Sequence, residues 1–416
     1  MNTFKKADIL IPKKEIDYKK WSIVACDQYT SEPEYWKSVE DEVGKSPSTL
    51  DIIFPEVYLS EGDKRISSIN QNMKKYIDDG IFEEHKNTLI YVRRDTGSGK
   101  IRQGIVGCID LEDYDFSKGS VSLVRATEGT VLERIPPRVK IRENAPLELP
   151  HVMILIDDDK NQIIEPLAQE CNKFQKLYDF DLIQNSGHLQ GFKISDSYAD
   201  EILEKLNLLE KEYQSKYDCD ANNKLIFAVG DGNHSLATAK TCWENLKPKL
   251  SDNEQKTHPA RFALCEIVNL HDDSLEFEPI HRVVFNVDAN KLINDLISKT
   301  NAKIEDNGGQ YFEYVTKDER KKLFVNNPTS KLSVGTLQNF LDAYIKDNGG
   351  EVDYIHGEDV TVRLGSMDTN IGFILPAMQK NELFSTVIAD GVLPRKTFSM
   401  GEAHEKRFYF ECKKIK

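Results

Sequence analysis

The fold of this chain is decided by the stretch LIFAVGDGNHSLATAK, residues 225–240. Its first five residues, 225–229, are continuously apolar, which is typical of a strand buried on both faces. After the glycines, Leu236, Ala239 and Trp243 recur at helical spacing. The stretch therefore predicts a strand, a glycine-containing turn and a helix, which is the building unit of a layered α/β protein.

The turn between this strand and this helix has the composition of an anion-binding site. Gly230 and Gly232 let the backbone approach a ligand closely, and the first amides of the helix point toward the turn. Such a turn suits a phosphate. Asp231 and His234 add a carboxylate for Mg²⁺ or a proton and an imidazole for the phosphate. An ordinary Asx-type turn before a helix explains the same residues without a ligand, so both interpretations stay open.

Several other segments match one known family in the same order along the chain. The sequence has no Gly-x-x-x-x-Gly-Lys-Ser/Thr run and no Gly-x-Gly-x-x-Gly run that would compete as a phosphate loop. Val229 to Lys240 resembles the Ala-Asp-Gly-His-His-Arg segment of the bacterial and archaeal family known as domain of unknown function 1015. The other matching stretches are Val24–Tyr29, Phe54–Tyr58, Arg125–Thr130, Pro279–Arg282 and Leu393–Phe398. Membership of this family does not itself supply a reaction.

The turn is also similar to the shorter Gly-x-His-Arg turns of SerK-type free-serine kinases, sulfiredoxins and ParB-type partition proteins. This resemblance implies a mixed α/β (α+β) fold with a ParB/sulfiredoxin-like nucleotide-binding core, elaborated by additional α/β segments. The chain departs from the pattern at two positions, since Asn233 stands where the commoner family pattern has His and Ser235 where the kinases have Arg. Arg can hold a phosphate bidentately, whereas Ser offers one hydroxyl. A bound nucleotide would therefore need another cation.

Composition and charge narrow the class of protein. A hydrophobic content of 39% with 30% charged residues fits a soluble globular protein, and the net charge of −14 disfavours binding to nucleic acid or to anionic membranes. No apolar run approaches transmembrane length, and the first residues lack the apolar core of a signal peptide. The seven cysteines are scattered without a Cys-x-x-Cys pair. This pattern predicts a reduced, cytoplasmic location.

The order of predicted elements divides the chain into three regions. We expect an N-terminal mixed α/β region at 1–150 that contributes to the site, a core α/β region at 151–285 that carries the phosphate-binding turn, and a C-terminal α/β region at 286–416. Apolar periodicity predicts helices near 61–79, 163–177, 197–216, 234–246, 288–299 and 379–389.

A second candidate segment follows the predicted strand that ends near residue 125. Glu128 and Thr130 match a His-Glu-x-Thr segment of the family, with Thr127 in place of its His. The segment leads into Arg134, Arg138 and Arg142. Phosphoryl transfer needs both carboxylates and cations, so we expect Glu128, Thr130 and at least one of these arginines to approach the turn. For each arginine singly, a solvated helix face is the better interpretation, and the two prolines before Arg138 favour a rigid loop.

Two further acidic positions lie near the N-terminus. Asp27, Gln28 and Tyr29 follow an apolar stretch, and polar residues at a strand end often recognise a small substrate. Glu56, after a proline, is either another acidic ligand or a helix cap. Cys26 is better explained as a small buried residue than as a nucleophile.

Two matched segments near the C-terminus offer the missing cations. His281 and Arg282 follow a proline and isoleucine, and Lys396 stands two residues after another proline. A hydrogen-bonded structural role for His281 and solvent exposure for Lys396 are the competing interpretations. The pair His404-Glu405 makes no metal site by itself.

The resemblance to the serine kinases implies a phosphotransferase that uses ATP or ADP with Mg²⁺ and acts on a small hydroxylated metabolite, with free L-serine as the best single acceptor. In this hypothesis Asp231, His234 and Glu128 are catalytic, and Asp231 also binds the metal. The nucleotide ligands are Gly230, Gly232, Asn233, Ser235, Thr130, Arg138, Arg142, His281, Arg282 and Lys396. The acceptor ligands are Asp27, Gln28, Tyr29 and Glu56.

Two alternatives to a kinase stay open from the sequence. One is a regulatory module of ParB type that binds or hydrolyses nucleotide without a metabolite acceptor. The other is a protein without nucleotide, in which the glycine turn only packs a helix onto the sheet. The expected partners are a nucleotide and a small-molecule substrate, with neither nucleic acid nor membrane, and a homo-oligomer is left open.

Overall fold

The computed structural model describes residues 3–149, 151–218 and 223–416. The chain forms two compact units. The first unit extends to Leu275 and resumes at Glu402, and the second comprises Glu276–Gly401. The chain therefore leaves the first unit near the predicted boundary at 285 and returns to it for its last segment.

The helices and strands of the first unit occupy both of its chain segments. Its helices are α1 (Tyr18–Trp21), α2 (Pro33–Val43), α3 (Gly62–Asp78), α4 (Ile135–Arg142), α5 (Leu167–Glu170), α6 (Asp196–Lys216), α7 (Asn233–Leu246) and α8 (Asp252–Thr257). Its strands are β1 (Phe4–Lys5), β2 (Ala7–Pro12), β3 (Phe82–Thr88), β4 (Ile90–Asp95), β5 (Ile101–Asp110), β6 (Tyr114–Asp115), β7 (Val124–Ala126), β8 (Leu147–Glu148), β9 (Met153–Ile156), β10 (Gln175–Asp181), β11 (His188–Lys193), β12 (Phe227–Asp231), β13 (Phe262–Asn269) and, in the last segment, β20 (Lys413–Lys414).

The second unit is built from the elements between these segments. Its helices are α9 (Ala289–Thr300), α10 (Ser333–Asn348), α11 (Glu358–Gly365) and α12 (Glu382–Asp390). Its strands are β14 (Phe277–Phe285), β15 (Tyr311–Val315), β16 (Arg320–Phe324), β17 (Glu351–His356), β18 (Ile371–Ile374) and β19 (Phe398–Met400). They pair antiparallel in the order β16-β15-β18-β14-β17, with β19 added to β14.

The first unit is organised around a mixed sheet. In the described ranges its strand order is β10-β11-β4-β5-β13-β9-β12-β7-β6, and β1 pairs with β5. Strands from residues 1–150 and from 151–285, which were expected to form separate regions, therefore share one sheet. The mixed α/β class predicted from the sequence is confirmed.

Strand β12 lies in the interior of this sheet, as its apolar sequence predicts. Phe227, Ala228 and Val229 are all buried because the strand is covered on both faces. On one side β12 runs parallel to β7, so the segments that follow the two strands leave from the same edge of the sheet. On the other side it runs antiparallel to β9, so the residues that precede β9 lie at that edge too. The sheet thus gathers three chain segments at one edge.

Most of the long helices lie where the apolar periodicity predicts them, namely α3, α6, α7, α9 and α12. The helix predicted over 163–177 is wrong, because only Leu167–Glu170 is α-helical and a strand begins at Gln175. The apolar residues Leu177 and Tyr178 are buried in β10, which pairs with β11. Short apolar runs fit either a helix or a strand, and here cross-strand pairing prevails.

Two observations concern the environment of the chain. None of the helices in the described ranges combines the length and apolar content that crossing a bilayer requires. The cysteines within those ranges are free thiols, and Cys219 lies outside the described residues.

Candidate functional site

The predicted turn joins β12 to α7 through a left-handed glycine. Gly232 has a φ of +78°, and a Cβ at this position would lie 3.0 Å from the backbone Cα of Val152. Glycine is therefore required at position 232 for two reasons: the positive φ of the backbone and the close approach of the neighbouring segment at Val152. Helix α7 begins at the next residue, and the Leu236 amide donates to the Gly232 carbonyl at 3.0 Å. The strand, turn and helix predicted from residues 225–240 are confirmed.

Asn233 fastens the turn to the segment that follows β7. Its Oδ1 accepts a hydrogen bond from the Thr127 amide at 3.2 Å, and its Nδ2 lies 3.4 Å from the Val229 carbonyl. The Thr127 hydroxyl donates to that same carbonyl at 2.6 Å. The Asn233 side chain, which we expected to bind nucleotide, is instead used to position the neighbouring segment. A short polar amide fits this role because it both donates and accepts.

The segment after β7 also contacts His234. The Val131 amide donates to His234 Nε2 at 3.2 Å, so the proton of the neutral ring is assigned to Nδ1. Burial lowers the pKa of His234, and the positive charges of Arg138 and Arg134 lower it further. The ring is therefore neutral near pH 7 and offers Nδ1–H as a hydrogen-bond donor.

The two family-matched residues of this segment lie between these contacts. Glu128 and Thr130 are both partly exposed, directly after the Thr127 contact to the turn. The Thr130 hydroxyl oxygen is inaccessible and has no hydrogen-bond partner among the described residues. Leaving a buried hydroxyl unpaired costs about 1–3 kcal/mol. The segment after β7 thus contacts the turn through Thr127 and Val131, although the two segments are about a hundred residues apart in the sequence.

Asp231 is held between its own turn and a lysine from the end of the chain. Its Oδ1 accepts from the Gly232 amide at 2.8 Å, and its Oδ2 lies 3.4 Å from Lys406 Nζ. The first contact is a bond to the amide of the next residue, so it differs from an Asx turn, in which the side chain accepts from the amide two residues on. The second is an ion pair that local pattern reasoning missed. Lys406 therefore gives the turn a cation.

Buried arginines fix the backbone around Lys406. Arg94 donates to the His404 carbonyl at 2.9 Å, and Arg102 donates to the Glu405 carbonyl at 3.0 Å. Both arginines are buried. Arg407, the next residue after Lys406, is buried and forms ion pairs with two buried carboxylates. Lys406 therefore projects from a backbone that is held by charge-assisted hydrogen bonds on both sides.

A buried histidine, His151, lies beside Asp27 and Ser235. Its Nε2 is 3.4 Å from Asp27 Oδ2 and 3.3 Å from Ser235 Oγ, and its Nδ1 is 2.7 Å from the Tyr409 hydroxyl. With its proton assigned to the bond to Cys26 Sγ, that hydroxyl accepts from the Cys26 amide and from Nδ1. Both ring nitrogens thus act as donors, which is the hydrogen-bonding pattern of an imidazolium.

The charges around His151 agree with this pattern. Burial by itself would lower the pKa of His151, but the negative charges of Asp27 and Asp231 outweigh it and raise the pKa. Burial would raise the pKa of Asp27, but the charge and hydrogen bond of His151 lower it. The buried His151 and the partly exposed Asp27 therefore form an ion pair. Because Asp27 and Ser235 meet the same ring nitrogen, this arrangement is not a nucleophilic triad.

Cys26 borders the same network but is not suited to nucleophilic attack. Burial, with the nearby Asp27 charge, raises the pKa of the Cys26 thiol to about 12. A thiol with so high a pKa carries almost no thiolate at neutral pH. The structure therefore argues against Cys26 as a nucleophile, although the residue is only partly buried.

A cavity of about 170 Å³ opens on the α7 side of His151. Ser235 lines it, whereas Asp231, Gly232 and His234 are not among its described lining residues. Of the turn residues that we expected to meet a ligand, Ser235 therefore borders this cavity. The Asp231 carboxylate contacts the Gly232 amide and Lys406.

Arg138 and Arg142 lie on the wall of this cavity, in helix α4. The prediction of a rigid loop at Arg138 is wrong, because the two prolines occupy the first turn of the helix, where no amide donor is needed. Arg138 forms an ion pair with Glu56, and Arg142 forms one with the buried Glu148. The predicted acceptor ligand Glu56 and the predicted nucleotide ligand Arg138 thus neutralise each other.

The other two N-terminal candidates, Gln28 and Tyr29, make different contacts in the structure. The Gln28 side chain donates to Asp27 Oδ1 at 3.0 Å and so supports the ion pair with His151. The Tyr29 ring stacks on Tyr35 with a centroid separation of 3.7 Å. Gln28 therefore adjoins the site through Asp27, whereas the Tyr29 ring packs against its neighbour.

His281, Arg282 and Lys396 belong to the second unit, where Arg282 has a structural role. Its guanidinium is fully buried and donates to the Lys396 carbonyl at 3.0 Å and to the Arg395 carbonyl at 3.1 Å. The expectation that Arg282 offers a cation to phosphate is therefore wrong in this structure. Buried His281 accepts a hydrogen bond from the Leu375 amide at 3.1 Å, as its structural interpretation predicts.

His151, Lys406 and Tyr409 are the residues of this site that sequence reasoning missed. His151 stands two residues before β9, and nothing in its local sequence marks it as a site residue. Lys406 follows the noted pair His404-Glu405. Within the described ranges, no group of three or more His, Cys, Asp or Glu side chains is arranged to hold a metal ion.

Comparisons with known proteins give one strong match and several weak ones. No curated protein sequence matches the chain significantly. Among solved structures, the chain is similar to a mutant of free serine kinase in complex with ADP, at 12% identity and a TM-score of 0.39, over 76% of this chain and 94% of that one. It is similar to a conserved hypothetical protein from Pyrococcus furiosus at 12% identity and a TM-score of 0.36, over 75% and 95% of the chains. It is also similar to C-terminally truncated SbnI from Staphylococcus aureus at 9% identity and a TM-score of 0.36, over 71% and 82%.

These structural similarities are too low to support an argument about function. A sequence-family model gives a firmer result, because it extends over most of the chain. It confirms the family that the separated motifs indicate. The chain belongs to the family described as protein of unknown function (DUF1015), whose model matches residues 10–344.

Proposed function

We propose that this protein is a nucleotide-dependent phosphotransferase that uses ATP or ADP with Mg²⁺ and acts on a hydroxyl group of a small metabolite. The observation that carries the proposal is the Asp231–Lys406 pair at the N-terminus of α7. A carboxylate, a cation and helix amides without intrahelical partners meet at one turn. Phosphoryl transfer depends mainly on such positioning and charge neutralisation.

The proposed roles follow from the charges of these groups. The first amides of α7 and Lys406 bind the terminal phosphate of the nucleotide. The acceptor oxygen forms a bond to the terminal phosphorus, the bond from phosphorus to the leaving nucleotide oxygen breaks, and the hydroxyl proton passes to a carboxylate. Asp231 is our candidate for that carboxylate. His234 donates from Nδ1 to a phosphate oxygen, and Glu128 and Thr130 contribute from the adjoining segment.

The donor chemistry of the turn also fits Mg²⁺. Mg²⁺ is commonly held by one or two carboxylates together with substrate phosphates and water. Asp231, whose side chain is 23% exposed, provides such a carboxylate. When bound, the ion would neutralise charge on the phosphates.

The nearby ion pair of His151 and Asp27 gives this region a further positive group. The imidazolium lies within hydrogen-bond range of Ser235 in the first turn of α7. In the proposal it helps to stabilise negative charge at the helix N-terminus. We place the protein in the cytoplasm as part of the proposal, and free L-serine is the first acceptor to assay.

The test is detection of a phosphorylated product by ³¹P NMR. The purified protein is incubated with ATP or ADP, Mg²⁺ and a panel of hydroxylated metabolites that begins with L-serine. Asp231→Asn keeps the size and the turn hydrogen bond of Asp231 but removes its charge. The control is Asp95→Asn, because the Asp95 side chain also accepts a hydrogen bond from a nearby backbone amide, that of Gly97 at 2.8 Å.

We expect product with the native protein and with Asp95→Asn, and a severe loss with Asp231→Asn. If nucleotide binds but no acceptor is phosphorylated, the proposal fails and the regulatory module takes its place. Equal activity of the two asparagine variants would remove Asp231 from the catalytic centre.

A further inference from the structure

The cavity beside His151 is mostly apolar, in contrast to the charged turn next to it. Its wall is formed by the loop that precedes Glu56, by α4, by the chain around β8 and by α7. The apolar lining includes Ile53, Phe54, Ile141, Leu149, Leu236 and Leu264. An apolar group gains about 25 cal/mol per Å² of surface that it removes from water in such a site. The lining therefore favours a ligand with a hydrocarbon body.

The volume of the cavity limits the size of that body. At about 170 Å³ it is close to the roughly 150 Å³ of an apolar protein cavity that holds benzene. A six-membered ring or a branched chain of similar volume fits. The side chain of free L-serine, a single hydroxymethyl group, would leave most of this space without contacts.

The charged groups on the wall are arranged in pairs. Glu56 is paired with Arg138, and Arg142 is paired with Glu148. Glu148 also accepts a hydrogen bond from the Leu264 amide at 2.8 Å. A charged ligand body would lose its hydration in this cavity and would have to compete with these pairs for a partner. The wall therefore favours a neutral body.

Ser235 connects the cavity to the charged turn. It lines the cavity and also lies in the first turn of α7, where its hydroxyl is 3.3 Å from His151 Nε2. A ligand that fills the cavity with its hydrocarbon body can therefore direct a polar end toward the N-terminus of α7.

We infer that this cavity binds the body of the acceptor, and that the acceptor is a neutral alcohol with a ring-shaped or branched hydrocarbon group of about benzene size. The inference rests on the proposed function, because it assigns the ligand as the acceptor of phosphoryl transfer. It replaces free L-serine, which is zwitterionic and lacks a hydrocarbon body, with a different substrate class.

The test uses benzyl alcohol as the probe and measures its binding to the full-length protein by calorimetry, first without nucleotide. Leu149→Trp replaces a partly exposed leucine on the cavity wall with an indole ring, which fills part of the cavity. The matched control is Leu208→Trp, since Leu208 is 49% exposed in α6 and does not line the cavity. Ile141→Trp, also at a partly exposed lining position, replaces Leu149→Trp if that variant does not fold.

We expect native protein and Leu208→Trp to bind benzyl alcohol equally, and the cavity variant to bind at least tenfold more weakly. With nucleotide and Mg²⁺, we expect benzyl alcohol to be phosphorylated or to inhibit phosphorylation of the acceptor. Undetectable binding to the native protein, or equal binding to the cavity variant, would overturn the inference. Displacement of benzyl alcohol by adenosine would also overturn it, since the cavity would then hold the nucleobase.

The outcomes separate this inference from the proposed function. Phosphorylation of L-serine that benzyl alcohol does not inhibit would leave the phosphotransferase in place and refute the apolar acceptor. Binding of benzyl alcohol that the cavity variant abolishes, without phosphorylation of any alcohol, would keep the ligand class of the cavity and refute the phosphotransferase.

Discussion

Lys406 gives the most direct test of the proposed site. Lys406→Met removes the positive charge but keeps a long, flexible side chain of similar length. The Lys406 side chain is 16% exposed and lies 3.4 Å from Asp231 across the turn. Because the backbone on its N-terminal side is held by Arg94 and Arg102, the change should be confined to the charge.

The expected effect can be worked from this geometry. Two unit charges about 4 Å apart interact by about 4 kcal/mol when the effective dielectric constant is about 20. Partial exposure of Lys406 screens some of this energy, and removal of one preorganised charge from a catalytic site costs about 2–4 kcal/mol. We expect a loss of about 2–3 kcal/mol in transition-state stabilisation. This loss corresponds to a roughly 30- to 150-fold lower kcat/KM.

The assay compares kcat/KM, nucleotide affinity and thermal stability. Lys406→Met should weaken ATP and ADP binding but leave adenosine binding unchanged, because only the phosphates meet the cation. The control is Lys414→Met, which removes an ion pair with Glu84 at 3.6 Å from the same terminal segment. A kcat/KM for Lys406→Met within about twofold of the control would refute the role of Lys406, since twofold is only about 0.4 kcal/mol.

Three further predictions concern the turn and the ion pair of His151 and Asp27. Gly232→Ala should lower the free energy of unfolding by more than about 1 kcal/mol, because the positive φ and the contact with Val152 exclude a Cβ. Denaturant titration measures this change, and unchanged stability would contradict the turn geometry. The pair of His151 and Asp27 should stabilise the protein at pH values between the lowered pKa of Asp27 and the raised pKa of His151. The contribution of Asp27 to the free energy of unfolding is lost as the pH falls below the ordinary carboxyl pKa of about 4. The contribution of His151 is lost as the pH rises above the ordinary imidazole pKa of about 6.5. Asp27→Asn should flatten this pH profile of stability, and a profile with native shape would show that the pair does not form. Asn233→Ala should cost about 1 kcal/mol in stability and lower activity by loosening the segment after β7, and full activity would show that this contact does not position the segment.

Part of the fold could be predicted because its signals are local. The apolar run 225–229 and the spacing of Leu236, Ala239 and Trp243 report burial of a strand and of one helix face, so the order of elements at the turn was correct. The prediction of a helix over 163–177 is wrong because the apolar residues of this segment fit both a helical and a strand period. The pairing of β10 with β11 decides between the two. Local pattern does not carry that information.

The roles of single charged residues were harder to predict than the elements. Arg282, Arg138 and Arg142 were all expected to be available as cations for phosphate, and each is paired or buried in the structure. A sequence records that a charge is present but not which partner neutralises it. Partners such as Glu56 for Arg138 come from distant segments and depend on how helices pack onto the sheet.

The turn at residues 230–233 could be predicted from the sequence alone, because a glycine that must adopt a positive φ and a switch from strand to helix periodicity are properties of neighbouring residues. The groups that surround this turn depend on the tertiary structure. His151 reaches it because β9 runs antiparallel to β12, and Lys406 reaches it because the last segment of the chain returns to the first unit. Such contacts join residues far apart in the chain, so they leave no periodic pattern, and the free energy of packing the whole unit fixes them.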